Sequence, residues 1–145
     1  MSGNDEQIGL TIAVLTVSDT RTAENDRSGD ALVDNLTAAG HTLHEKRIVP
    51  DDVYQLRAVV SEWIADPAVQ VILTTGGTGF TGRDSTPEAI RVLLDKEIQG
   101  FGELFRQLSH QEVGSSTIQS RCLGGLANRT VVFCLPGSTG ACKTA

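Results

Sequence analysis

With 145 residues and a formal net charge of −6, the chain is long enough for one domain with a real core, and its overall sign is wrong for unspecific attraction to nucleic acid or an anionic membrane surface. Four Phe, one Tyr and one Trp are too few for base-stacking platforms. The longest apolar stretches fall far short of the ~18 residues of a membrane span, and the opening MSGNDEQ is polar and acidic, unlike a signal peptide, so a cytoplasmic protein is expected.

Residues 1–7 read as a flexible N-terminal arm and residues 8–145 as a single domain. The near-continuous aliphatic run Ile8 to Val17 predicts a central strand buried on both faces. Ser18, Asp19, Thr20 and Arg21 come next, and the carboxyl end of a strand is where open α/β sheets put their ligands. Asp26 or Ser28 can cap the next helix, in which Leu32, Val33, Leu36 and Ala39 recur at helical spacing until Gly40 ends it. His41 to Val49 is a strand with internal charges, better placed near a sheet edge than in the middle. From Val53, the positions Leu56, Val60, Trp63 and Ile64 share one helix face, so Asp51 or Asp52 stands at the N-cap. Capping explains one aspartate; two in a row leave one for other use.

Val71, Ile72 and Leu73 signal a third buried strand, which Thr74 and Thr75 carry into Gly76, Gly77, Thr78 and Gly79. Glycines allow positive φ and close approach of a ligand, so this loop can offer several N–H groups to one anion. Thr86 and Pro87 read as N-cap and first residue of a helix running through Ile90, Leu93 and Leu94. Asp84 would repel a phosphate held in that cradle unless a cation lay between them, which suggests Mg²⁺. The plainer alternative is a Gly-rich turn with a solvent-facing Asp at a helix start.

Gly100 to Leu108 predicts a further helix in which Phe101 and Phe105 are core or subunit-contact residues, while Glu103 has no evident structural reason. Ser115, Ser116 and Thr117 offer another N-cap, Gly124 and Gly125 break the segment after it, and Asn128 and Arg129 form the turn into the last strand, Thr130 to Leu135. That strand ends in a second small-residue loop, Pro136, Gly137, Ser138, Thr139 and Gly140. Ala145 falls where a helix should start to cover the last strand, so that C-terminal covering helix is expected to be absent. The alternation of strand and helix predicts a three-layer α/β fold: a parallel sheet, mixed at its edge, with helices on both faces.

Cys122, Cys134 and Cys142 match neither a disulfide framework nor a CxxC site and read as buried thiols. His41 and His44 should point to opposite faces of a strand and His110 stands alone, so no histidine is assigned to a metal. Two stretches nearly spell a P-loop: Gly77 to Asp84 has Arg83 for the Lys, and Gly137 to Thr144 has Cys142 for a Gly. Neither a dinucleotide fingerprint nor a GxSxG elbow is present. With no conspicuous base or nucleophile, the features point to an anion of nucleotide type plus a metal, and to transfer between two bound phosphorylated molecules by positioning.

The loop TTGGTGFTGRDSTPEAI resembles the signature of the molybdopterin-binding family. The chain as a whole is similar to that family's single-domain molybdopterin adenylyltransferases, the MogA/MoaB kind and the B kind in particular. Six blocks carry the resemblance in order: TVSDTR, DRSGD, VPDD, the long loop, GFGELFRQLS and LPGSTGA. It implies Mg-ATP-dependent adenylylation of molybdopterin with release of pyrophosphate, by a homotrimer or hexamer that hands its product toward a molybdenum-insertion protein. Asp51 and Asp84 would carry the chemistry and hold Mg²⁺. Ser138, with Pro136 and Gly137 of its loop, and Thr75, Gly76, Gly77, Thr78 and Gly79 would hold phosphate or pterin, with Ser18, Asp19 and Glu103 close by. Some members of the B kind have lost the first aspartate and are thought inactive, so Asp51 argues for activity. A molybdopterin carrier without turnover is the second reading.

Overall fold

The computed structural model describes residues 9–22, 24–76, 85–104, 107 and 122–136. In chain order the elements are β1 (Thr11–Val17), α1 (Arg27–Ala38), β2 (Thr42–Val49), α2 (Val53–Ala65), β3 (Val71–Thr75), α3 (Thr86–Arg91), β4 (Lys96–Glu97), β5 (Leu123–Ala127) and β6 (Thr130–Leu135). Residues 99–104 are also helical. The strands form one sheet in the order β2-β1-β3-β6-β5-β4. The first four of these neighbours pair in parallel, whereas β5 pairs antiparallel with β6 and β4 antiparallel with β5.

Strand β1 is central because its residues are apolar on both faces. Ala13, Leu15 and Val17 pack beneath Leu56, Val60 and Trp63 of α2 and Ala89 and Ile90 of α3. Ile12 and Val14 meet Leu32 and Leu36 of α1 on the other face. Two cores separated by one sheet are what a strand buried on both sides requires, and the three-layer expectation holds. Strand β2, with Glu45, Lys46 and Arg47 inside it, lies at the sheet edge as its charges predict. Among the described residues no helix is long and apolar enough to cross a membrane.

The structure corrects the sequence reading in three places. Leu123–Ala127, with Gly124 and Gly125, is a strand rather than a break. A Cβ on Gly124 would lie 2.8 Å from the Phe133 ring, and one on Gly125 would lie 2.6 Å from the backbone oxygen of Lys96. The two glycines therefore let neighbouring groups press against the strand, which is a second use of glycine in a sheet. The turn at Asn128 and Arg129 is as expected, and Asn128 takes φ 56°, a conformation that asparagine tolerates better than most side chains.

Helix α3 is the second correction. Ser85, not Thr86, occupies its N-cap, and the helix closes at Arg91 instead of running to Leu94. The Thr86 hydroxyl donates to the Gly76 carbonyl at 2.9 Å instead of capping. The Leu93 and Leu94 amides turn back onto Ile90 and Arg91, and the chain then enters β4. The third correction is Gly9 and Leu10, expected within the first strand, which begins only at Thr11; Ile8 lies outside the described residues. Phe101 packs on Phe133 with ring centroids 4.8 Å apart, the core role expected of it. Phe105, the cap cluster Ser115 to Thr117 and the loop after Pro136 lie outside the described residues.

A methyl group at Gly125 must push the Lys96 backbone away, so Gly125→Ala should lower stability by about 1–3 kcal/mol. The helical Gly100, where an added Cβ meets nothing within 4 Å, should accept alanine with no loss and up to ~1 kcal/mol of gain. Urea midpoints of the two variants against wild type check both.

Candidate functional site

Parallel pairing of β2, β1, β3 and β6 brings four carboxyl ends to one edge of the sheet. After β1, the Ser18 amide donates to the Val49 carbonyl at 2.9 Å, which joins the ends of β1 and β2. The Ser18 hydroxyl oxygen accepts from the amides of Thr20 at 3.2 Å and Arg21 at 3.1 Å, folding the loop back over the strand end. Asp19, exposed, accepts the Asp51 backbone amide at 3.1 Å. The first loop is thereby tied to the end of β2.

The two aspartates after β2 divide their tasks. Asp52 caps α2, its Oδ1 accepting from Tyr54 at 2.9 Å and Gln55 at 3.0 Å. Asp51 is released from capping and is buried. Its Oδ1 accepts the Ser85 amide at 3.1 Å and also the Ser85 hydroxyl. Sequence reasoning left the choice between the two aspartates open, and α2 makes it.

At the third strand end the Gly76 amide donates to Leu135 at 3.0 Å and the buried Thr75 hydroxyl to Pro136 at 2.8 Å, stitching β3 to β6. Gly76 takes φ 101°, and a Cβ there would fall 2.3 Å from the Val17 carbonyl oxygen, so only glycine lets β3 leave the sheet so close to β1. Ser18, Asp19, Asp51, Thr75, Gly76 and Pro136 thus gather along one edge. Glu103 is exposed on the helical residues 99–104. Gly77, Thr78, Gly79, Asp84, Gly137 and Ser138 lie outside the described residues.

Beneath Ser18 lies a buried ionic cluster that sequence reading saw only as a cap. Asp26 caps α1 through Gly29 at 3.0 Å, and its other oxygen accepts the Thr16 hydroxyl at 2.6 Å and Lys46 Nζ at 3.0 Å. Arg21 stands 3.7 Å away and Lys46 also reaches Asp30 at 3.2 Å. Burial alone would raise the Asp26 pKa; the Thr16, Gly29 and Lys46 bonds outweigh it and hold the carboxyl below the usual range. For Lys46, burial pulls the other way, but Asp26 and Asp30 keep its pKa raised. Gly29 fits this cluster because a Cβ there would sit 2.3 Å from Asp26 Oδ2.

The two described histidines are engaged elsewhere. His41 Nδ1 accepts the Leu10 amide at 3.1 Å, and His44 stands 3.5 Å from Asp66. Among the described residues no three His, Cys, Asp or Glu side chains gather as a ligand set. Cys122 and Cys134 are buried thiols, as expected, and burial pushes Cys134 up to about 12. What the edge offers is carboxylate oxygen, with Asp51 and Asp19 linked by one hydrogen bond. Hard oxygen donors of this kind suit Mg²⁺, which keeps several waters and needs only one or two carboxylates.

The chain has counterparts of the same fold among known proteins. A family model described as a probable molybdopterin binding domain matches residues 13–145. The chain is 53% identical over 140 residues to molybdenum cofactor biosynthesis protein B of Escherichia coli (strain K12), an alignment covering 97% of this chain and 82% of that protein. It superposes on a crystal structure of molybdenum cofactor biosynthesis protein B with TM-score 0.91 at 47% identity, covering 94% of this chain and 86% of that one. The tungsten cofactor synthesizing protein MoaB from Pyrococcus furiosus gives TM-score 0.83 at 39% identity, covering 94% and 87%.

Because the Asp26 pKa is lower folded than unfolded, its stabilising effect is complete above the unfolded value, ~3.9, and is lost as pH falls through the lower folded one. Asp26→Asn should cost about 2 kcal/mol at neutral pH and should flatten the decline in urea midpoint below about pH 4. An equally steep acid decline in the variant would assign that loss to other carboxylates.

Proposed function

The chain belongs to the molybdopterin-binding domain family, and from that membership we propose that it is a molybdenum cofactor biosynthesis enzyme, a molybdopterin adenylyltransferase. The observation that carries the reading is the release of Asp51 from capping. Its carboxyl group is left at the carboxyl edge with Asp19 beside it and Ser85 against one oxygen. A buried carboxylate at the carboxyl edge of a parallel sheet, with one oxygen held by Ser85 and its neighbour already serving the helix, supports a role in ligand binding.

In this reading a terminal phosphate oxygen of molybdopterin attacks the α-phosphorus of ATP. The bond from that phosphorus to the oxygen bridging the β-phosphate breaks, AMP is transferred and pyrophosphate leaves. The chain's contribution is alignment of two bound anions. Backbone amides from Gly77 through Gly79, with Thr78, would face phosphate or pterin, as would Pro136, Gly137 and Ser138 of the second loop, while Thr75 and Gly76, whose hydroxyl and amide bind Pro136 and Leu135, would hold the two loops together at that edge. Ser18, Asp19 and Glu103 complete the proposed binding set. Asp51 and Asp84 would hold Mg²⁺, and Asp84 is joined by one peptide bond to Ser85, whose amide donates to Asp51. Bound there, Mg²⁺ supplies positive charge against the triphosphate and the departing pyrophosphate. The proposal includes assembly as a trimer or hexamer and delivery of the product to a molybdenum-insertion protein.

Wild-type protein given molybdopterin and Mg-ATP should release pyrophosphate. Asp51→Ala should lower turnover about 100-fold or more, since a metal ligand at the reacting phosphate contributes several kcal/mol in the transition state, while pterin affinity changes by less than about 10-fold. Asp84→Asn should behave alike. Asp52→Ala should lose about 1 kcal/mol of stability with its cap and keep its turnover. Tight pterin binding with no pyrophosphate from wild type would leave a molybdopterin carrier instead.

A further inference from the structure

Ser85 stands at the N-cap of α3, where a serine ordinarily accepts a hydrogen bond from an amide in the first turn of its own helix. Here its side chain makes no such bond. Its hydroxyl donates instead to Asp51 Oδ1, and its backbone amide donates to the same oxygen at 3.1 Å. The helix start has given up its own cap to hold a carboxylate 34 residues away. Both donors converge on one oxygen, and among the described residues Asp51 Oδ2 accepts no hydrogen bond.

The surroundings make this attachment rigid. The Asp51 amide is held by Asp19 at 3.1 Å, so the residue is fixed at its backbone as well as at its carboxylate. Next to Ser85, the buried Thr86 hydroxyl is bound to the Gly76 carbonyl at 2.9 Å, which pins the start of α3 to the end of β3. The Ala89 amide closes onto the Ser85 carbonyl at 2.9 Å. A carboxylate engaged twice at one oxygen and tethered through its amide presents the other oxygen in a fixed orientation.

We propose that Ser85 is a positioning residue for the divalent cation: by filling Oδ1 of Asp51 from two donors it reserves Oδ2 as the cation's ligand and couples the cation to the start of α3. This inference rests on the reading of Asp51 as a metal ligand. A group that orients a ligand from behind acts on metal affinity, whereas one that serves only the fold acts on stability.

The test uses Mn²⁺ as probe, with binding to the intact protein followed by loss of the free-ion electron paramagnetic resonance signal. Ser85→Ala should weaken Mn²⁺ affinity about 10-fold or more, and Ser85→Thr, which keeps the hydroxyl, should stay within about 3-fold of wild type. In the pyrophosphate assay the Mg²⁺ concentration for half-maximal rate should rise by a similar factor in Ser85→Ala, with kcat at saturating Mg²⁺ largely recovered. Unchanged Mn²⁺ affinity in Ser85→Ala, equal weakening in Ser85→Thr, or no Mn²⁺ binding by wild type each overturns the assignment. If Asp51→Ala and Ser85→Ala weaken Mn²⁺ binding but wild type yields no pyrophosphate, the adenylyl-transfer reading fails and the role of Ser85 stands.

Discussion

One backbone amide, that of Asp51, donating to the Asp19 carboxylate, joins the loop after β1 to the end of β2, and the site depends on it. Parallel strands offer their carboxyl ends at the same edge without linking them, because the ladder hydrogen bonds stop where the strands stop. Beyond that point side chains must take over. Asp19 reaches Asp51, Asp51 reaches Ser85, Thr86 reaches Gly76, and Gly76 with Thr75 reaches Leu135 and Pro136. The chain of contacts crosses the edge from β2 to β6. Residues from well-separated parts of the sequence are thereby held in one arrangement, which is what the proposed reaction, run by alignment, would require.

The charge distribution obeys the same geometry. An acidic protein that binds anions must hold its carboxylates away from them or neutralise them. Asp26 is neutralised inside the fold by Lys46 and hydrogen bonds from Thr16 and Gly29, so its charge joins β1, α1 and β2. Removing one member of such a buried group leaves the others uncompensated. At the outer edge Glu45 plays a different part: it accepts from Arg47 at 2.8 Å and from the Trp63 indole at 2.9 Å, and Arg47 lies over the same indole, 5.9 Å from its centroid. Those contacts, that of Arg47 foremost, hold Glu45 below the usual range. The exposed flank of β2 thus carries paired charge, which discourages pairing with another strand.

Two kinds of glycine divide the fold. Gly76 is required by its backbone angle and by the Val17 carbonyl facing it; Gly124 and Gly125 have neighbours too close for a side chain. The first opens the sheet toward the loop that the family signature begins. The others let Phe133, Leu94 and the Lys96 backbone close over β5, extending a parallel sheet by an antiparallel edge.

The amino-acid sequence alone determined the layers and the edge. A strand apolar on both faces must be central, charges inside a strand send it outward, and helical periodicity in α1 and α2 supplies the covers; these are local patterns with one physical solution. It also marked Ser18, Asp19, Asp51, Thr75, Gly76 and Pro136 as strand-end residues, because strand ends carrying Ser, Asp, Thr and Gly are visible as such. What it left undecided were matters of partnership. Asp51 and Asp52 are identical in composition and adjacent, and only the direction of α2 assigns the cap to one. Ser85 carries an ordinary helix-start signal, and only the approach of β2 turns its hydroxyl to Asp51. Gly124 and Gly125 signal a break until Phe133 and Lys96 are seen against them. In each case the deciding neighbour lies far along the chain or across the sheet, and that proximity exists only after the chain has folded.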